Sequence, residues 1–310
     1  MISDDPLRGR EAVFAEAEFS ARIEALRRAL LPGGTEALVL FGPENIFWAT
    51  GRQTAGYFAF QALIVPLSAP PVLLVRQLET TGARVATWLT DIRAWQDGED
   101  PALALATLIR ALGLRHVALE RNSWFVSHAL ASRIETLLSD LRLSDGSGIA
   151  EGLRAVKSPA ELAAIRKAAT YAQAGLSAAI ESCRVGVTEN DVTAAMMAAA
   201  ISAGSEAMAM EPLVSSGPRS GVPHATWRRR RIEPGGGVFL GLAASHDRYH
   251  AALMRNVWIR PPPPLARSMM DTAERALAAA LAAMEPGRPC ADPHLASQRV
   301  IDAAGHTDAF

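Results

Sequence analysis

The pattern of hydrophobic residues changes once along the chain, at residues 154–161, and this change restricts the folds that the chain can adopt. Before the change, short apolar runs alternate with helix-like stretches, which predicts an α/β domain with a mixed sheet over residues 1–150. At the change, Ser158 and Glu161 form a capping box that opens a long helix. The chain beyond is rich in helices and has two strand candidates, so residues 151–310 are predicted to form a second, α+β domain.

Periodicity and capping residues place several elements within each half. In the first half, strands are predicted at residues 37–41, 62–65, 72–75 and 117–120, and helices at residues 101–112 and 125–138. In the second half, helices are predicted at residues 189–203, 265–284 and 293–304, and strands at residues 238–244 and 249–259. The segment at residues 212–224 is rich in glycine and proline, which is typical of a loop.

The charge pattern argues against nucleic-acid and membrane partners. The formal net charge is −1, so no overall field attracts a polyanion. The four arginines at residues 228–231 lack interleaved aromatic residues and are predicted to form a solvated turn. The uncharged run at residues 53–75 is broken by prolines, which favours two strands joined by a turn over a membrane-spanning helix.

Two more features bear on compartment and on redox chemistry. The first ten residues are broken by Pro6 and do not resemble a secretory signal, so a cytoplasmic protein is predicted. Cys183 and Cys290 are the two cysteines of the chain. Because they lie far apart and form no Cys-x-x-Cys motif, neither a disulfide framework nor a zinc site is expected.

The densest group of residues suited to catalysis lies at residues 215–227. Glycine and proline in such a segment fix the backbone, so His224 is expected to be presented rather than packed. Imidazole titrates near neutral pH, which makes His224 the candidate general acid or base. A surface or capping role for this histidine is the equally weighted alternative.

Four short motifs connect the chain with a known superfamily. They are Lys157-Ser158-Pro159-x-Glu161, Ser216-Gly217-Pro218-Arg219, Pro223-His224-Ala225-Thr226 and Tyr249-His250-Ala251-Ala252-Leu253-Met254-Arg255. In order and spacing they resemble the pita-bread superfamily, which includes Xaa-Pro aminopeptidases, prolidases and creatinase. The last two motifs look most like those of ectoine hydrolases, relatives of creatinase that open a cyclic compatible solute. Residues 44–51 and 95–101 are similar to the same group.

The resemblance implies a pita-bread fold for the second domain, and it implies that this domain is incomplete. The family continues after the last predicted helix with strands that carry a histidine and two acidic residues, whereas this chain ends at Phe310. Metal-dependent members have aspartates where this chain has Gly241 and Ala252. Neither residue can donate an oxygen ligand, so no metal and no other cofactor is expected.

The activity implied by the resemblance is metal-independent hydrolysis of a non-peptide C–N bond in a small zwitterion such as ectoine or creatine. His224 would move a proton between the attacking water and the leaving nitrogen. The implied substrate-binding residues are Thr226, Trp227, Tyr249 and His250, with Tyr57 and Gln61 supplied by the second subunit of a homodimer.

Several alternatives stay open on the sequence alone. An Xaa-Pro peptidase-like metallohydrolase is disfavoured by Gly241 and Ala252. A catalytically inactive, truncated homologue is favoured by Gly241 and by the early end of the chain. The aromatic site candidates are equally consistent with ordinary core packing, and His250 is equally consistent with a buried, hydrogen-bonded histidine.

Overall fold

The computed structural model describes residues 6–309 and divides into two compact units that meet between Ala163 and Ala164. Within residues 6–309, no helix is long and apolar enough to span a lipid bilayer. The uncharged run at residues 53–75 forms a loop and the two strands of an antiparallel pair, as its prolines predict.

The first unit is built on a six-stranded mixed sheet. Its strands are β1 (Ala37–Leu40), β2 (Ala62–Pro66), β3 (Val72–Arg76), β4 (Asp91–Trp95), β5 (His116–Leu119) and β6 (Arg142–Asp145), in the spatial order β4-β3-β2-β1-β5-β6. The pairs β1–β2 and β2–β3 are antiparallel, and the other pairs are parallel. This arrangement confirms the predicted α/β domain with a mixed sheet.

Helices cover both faces of this sheet, so its central strands are buried on both sides. The helices are α1 (Glu16–Leu30), α2 (Pro43–Thr50), α3 (Thr80–Ala86), α4 (Pro101–Ala111), α5 (His128–Leu137) and α6 (Ile149–Arg154). One apolar cluster joins Val39 and Ile64 to α4, and another joins Leu38 and Leu63 to α1. Alternate residues of one strand therefore belong to opposite cores.

The second unit combines helices with a small antiparallel sheet. Its elements are α7 (Pro159–Ser182, which begins in the first unit), α8 (Glu189–Ala203), β7 (Met208–Ser216), β8 (Gly237–His246), β9 (Tyr249–Trp258), α9 (Pro264–Ala282) and α10 (Ala291–Ala303). Strand β8 lies between β7 and β9. Residues of α7, α8 and β8 form one apolar core, and α9 packs on α10.

The capping residues predicted from the sequence do cap these helices. Asp100 accepts a hydrogen bond from the backbone N–H of Ala102 at the start of α4. At α7, Glu161 accepts from the Ser158 N–H at 2.7 Å. Thr188 and Asp191 form a complete capping box at α8, which begins and ends at the predicted residues.

The predicted loop at residues 212–224 is wrong in its first part, because the chain through Ser216 belongs to β7. Pro212 lies where the β7–β8 register shifts, between Met210 and Leu213. A proline has no N–H for a sheet ladder, so an irregular position on an outer strand accommodates it. Strand β7 also supplies a flanking partner for β8. Within the described residues, β7 and β9 each have a partner on one side only.

Candidate functional site

The segment that carries His224 begins at the end of β7 and returns to a strand-like bridge at Arg231. It starts with a short 3₁₀ turn at Gly217–Gly221. Turns continue through the histidine, where the Ala225 N–H donates to the carbonyl of Val222 at 3.3 Å. His224 is exposed, as its glycine- and proline-rich context predicts, and its backbone is left-handed with φ 57°.

A single buried carboxylate holds this segment at both of its ends. Glu189, the first residue of α8, is 0% exposed. Its Oε1 accepts from the N–H and the hydroxyl of Ser216, each at 2.8 Å. Its Oε2 accepts from Nη1 of Arg219 at 2.5 Å and from the Arg228 N–H at 2.7 Å. Four donors therefore satisfy one buried carboxyl group.

Arg219 adds a second link across the same segment. While its Nη1 contacts Glu189, its Nη2 donates to the carbonyl oxygen of Thr226 at 2.7 Å. The guanidinium thus bridges the α8 terminus and the residue two positions after His224. Sequence patterns identified neither Glu189 nor Arg219 as a site residue, although Arg219 belongs to one of the four motifs.

Of the predicted substrate-binding residues, Thr226 and Trp227 lie on the same segment as His224. The Thr226 hydroxyl accepts from Arg228 Nη1 at 3.3 Å. The Trp227 ring is partly buried and packs against the core of α7, α8 and β8. Trp227 thus makes the contacts expected of an ordinary core aromatic residue, which was the alternative to a substrate-binding role. These contacts also hold the end of the loop against the core.

Tyr249 and His250 lie on opposite faces of the β8–β9 hairpin. Residues that are paired across two strands, or that alternate along one strand, lie on the same face of a sheet. His250 therefore lies on the face of Gly241 and Ala252, as shown by the pairs Gly241–Met254, Ala243–Ala252 and Ser245–His250. Tyr249 belongs to the other face, which α7 and α8 cover. His250 is exposed, so the alternative of a buried histidine is wrong.

The loop that carries His224 begins at one end of the β8–β9 hairpin, and His250 lies at the other end. The last residue of β7, Ser216, pairs with Val238, and His250 pairs with Ser245. The seven residue steps from Val238 to Ser245 span roughly 23 Å at the usual rise per residue. Thr226 and Trp227 therefore share a segment with His224, whereas Tyr249 and His250 lie beside the turn of the hairpin.

Gly241 and Ala252 leave one face of the hairpin without carboxylates. Gly241 is buried beside Leu213, and Ala252 is exposed. Over the described part of the chain, no three His, Cys, Asp or Glu side chains lie close enough together to hold a metal ion. The residues present here therefore do not fit a divalent metal.

The two site candidates of the first unit differ in exposure. Tyr57 is 48% exposed, and its ring makes an edge-to-face contact with Phe125 at 5.8 Å between centroids. It is therefore a surface aromatic residue rather than a core one. Gln61 is buried just before β2. Closure of a pocket by a second subunit, and the homodimer itself, stay predictions.

Two other features carry none of the predicted site residues. An open pocket at the end of β9 is lined by Trp258, Arg267 and Glu274 among others. The four consecutive arginines form an irregular segment rather than the predicted turn: Arg228 and Arg229 are exposed, and Arg231, in a strand-like bridge to Thr188, donates to the carbonyl of Gly186 at 2.7 Å.

Comparison with known proteins gives matches for both units. The Creatinase/Prolidase N-terminal domain matches residues 22–156, and Metallopeptidase family M24 matches residues 163–310. An uncharacterized hydrolase/peptidase of Sinorhizobium fredii is 27% identical over 309 aligned positions, with coverages of 94% of this chain and 78% of that protein. Ectoine hydrolase of Halomonas elongata is 24% identical over 319 residues, with the same two coverages of 94% and 78%.

Solved structures share the fold. The crystal structure of X-Pro aminopeptidase from Thermotoga maritima superposes with a TM-score of 0.83 at 20% identity, covering 92% of this chain and 78% of that one. The chain thus has the two-domain creatinase/prolidase fold, with the pita-bread architecture in its second unit, and about a fifth of that relative lies outside the match.

Proposed function

We propose a function from the premise that this chain belongs to the superfamily of creatinases and Xaa-Pro aminopeptidases, whose two domains match its two halves. Hydrolysis is the chemistry that the matched relatives share in name. The reaction proposed here is metal-independent hydrolysis of a non-peptide C–N bond in a small zwitterion, an amidine or guanidine of the ectoine or creatine type.

The observation that carries this proposal is the composition of one face of the β8–β9 hairpin. Gly241 and Ala252 lie on that face, at the positions where metal-dependent relatives are expected to hold aspartates. A metal hydrolase uses its cation to polarise a neutral carbonyl. A protonated amidinium or guanidinium carbon is already electron-poor, so its hydrolysis depends less on a Lewis acid than hydrolysis of a peptide does.

Without a metal, proton transfer falls to a side chain, and His224 is the candidate. It is exposed on an anchored segment. Its neutral imidazole accepts a proton from water as the water oxygen bonds to the substrate carbon, and the imidazolium then returns that proton to the nitrogen as the C–N bond breaks. Thr226 and Trp227 are the proposed neighbours of the substrate, because they lie on the same segment.

A substrate panel tests the proposal. Purified protein is incubated in EDTA with ectoine, creatine and a Gly-Pro dipeptide, and products are followed by NMR. We expect hydrolysis of one of the two zwitterions and none of the dipeptide, with kcat lowered by roughly two to four orders of magnitude in His224→Ala. Cleavage of the dipeptide that requires Mn²⁺ contradicts the proposal in favour of a peptidase. No turnover by folded protein contradicts it in favour of a non-catalytic homologue.

A further inference from the structure

We propose that Glu189 is the positioning residue for His224: its buried carboxylate sets the conformation in which the loop at residues 216–228 presents the imidazole. The inference rests on the proposed function, since it gives His224 the role of proton carrier. Its physical basis, however, is the contact pattern of one side chain, which can be tested without turnover.

The Glu189 carboxylate connects the two ends of the loop at residues 216–228. Ser216 enters the loop, Arg228 leaves it, and the backbone N–H groups of both donate to Glu189. These donors lie 27 and 39 residues from Glu189 in the sequence. Closing such a loop removes much of its conformational freedom. Because one rigid helix terminus supplies both acceptor atoms, the two ends of the loop cannot move independently while the carboxylate is in place.

The conformation at His224 needs such an external restraint. A left-handed backbone is unfavourable for a residue with a Cβ, and His224 has φ 57°. Such conformations persist where the surroundings over-determine them. No hydrogen bond to the exposed imidazole is present within residues 6–309, so the restraint acts through the backbone on either side, including the Thr226 carbonyl that Arg219 holds.

Glu189→Gln changes this pattern with almost no change in shape. An amide has one acceptor oxygen, and its NH₂ group must face either the Ser216 N–H or the pair formed by Arg219 and the Arg228 N–H. One end of the loop therefore loses its acceptor in either rotamer, and the charge that balances Arg219 is removed.

Asp191→Asn is the matched control. Asp191 lies in the same first turn of α8 and also loses one negative charge on substitution. Its side chain accepts from Thr188 and makes no hydrogen bond to residues 216–228. A general weakening of the helix start would thus affect both variants, whereas release of the loop is specific to Glu189→Gln.

Two NMR readouts test the inference on the full chain. In Glu189→Gln we expect the amide protons of Ser216 and Arg228 to exchange at least about tenfold faster than in the wild type. With histidine labelled at Cε1, and the His224 signal assigned by its loss in His224→Asn, we expect that signal to move towards the position of free histidine. Asp191→Asn should leave both readouts at their wild-type values.

If Glu189→Gln does not fold, the variant Arg219→Lys tests the same inference. Lysine retains the charge beside Glu189, but its single nitrogen replaces the two guanidinium nitrogens that reach Glu189 and the Thr226 carbonyl separately. We therefore expect the His224 signal to move in the same direction. Wild-type exchange and an unmoved His224 signal in folded Glu189→Gln overturn the inference, as does an unmoved signal in Arg219→Lys. Faster exchange with an unmoved His224 signal also overturns it, because the anchor is then merely structural. A negative substrate panel bears on the proposed function alone.

Discussion

The two cysteines differ in their surroundings. Cys183 packs against the core of α7, α8 and β8, and burial raises the pKa of its thiol from 9.0 to about 11. Cys290 is exposed. Since the thiolate is the reactive form, a shift of this size lowers the reactive fraction of Cys183 by about 100-fold at pH 8. We predict that iodoacetamide at pH 8 alkylates Cys290 first and Cys183 at least about 100-fold more slowly, as measured by intact-protein mass spectrometry.

The Cys290→Ser variant isolates the slow reaction, and the same variant in denaturant gives the rate of an unprotected Cys183. Equal rates in the folded and the denatured variant would show that the thiol is not buried as described.

At the scale of single residues, local sequence patterns identified His224 as a candidate but did not identify Glu189, which anchors its loop. The glycines and prolines around His224 are local, and local patterns predicted its exposure correctly. Glu189 acts on residues 27 to 39 positions away, and no periodicity or cap rule reaches that far. The same limit applies to His250, whose burial could not be decided without knowing which strands flank it.

Helix α7 approaches α8 and β8 closely at Gly175. A Cβ there would lie 2.5 Å from Cδ2 of Leu242 and 2.9 Å from the carbonyl oxygen of Met196. The Leu242 side chain can adjust, but the backbone oxygen of α8 cannot. We predict that Gly175→Ala lowers the free energy of unfolding by roughly 1–2 kcal/mol in urea denaturation, since overpacking outweighs the helix propensity of alanine.

Gly152 of α6 provides the matched substitution. A Cβ at Gly152 would meet no atom within 4 Å, so Gly152→Ala should raise the free energy of unfolding by about 0.5–1 kcal/mol. Stabilisation of similar size in both variants would contradict the close packing of α7 on α8.

Elements with strong local signals were predictable, whereas the two edge strands of the large sheet were not. Helix α8 has a capping box at its start and a glycine just after its end, so both of its ends could be read. Strands β4 and β6 lie at the two edges of the large sheet and carry charged residues such as Arg93 and Arg142. Such charges protect an edge from pairing with other chains, and they also hide the apolar alternation on which strand prediction depends.

For the whole molecule, the change in sequence pattern at residues 154–161 lies just before the division between the two compact units. The family models end at residue 156 and begin at residue 163, and the compact units divide after Ala163. The capping box of α7 lies in this interval, and its Glu161 is buried 3.6 Å from the guanidinium of Arg22 in α1. The pattern change was visible because it is local, whereas the ion pair to α1 joins residues far apart in the sequence.

The central claim is that this member of the superfamily hydrolyses a C–N bond without a metal, because Gly241 and Ala252 offer no ligand. Its most direct test is elemental analysis of protein dialysed after exposure to manganese, cobalt and zinc in turn, with ectoine turnover measured on the same samples and in EDTA. The account predicts substoichiometric metal in every sample and turnover that neither the metals nor EDTA changes. Stoichiometric retention of two metals per chain, or turnover abolished by EDTA and restored by manganese, would contradict it.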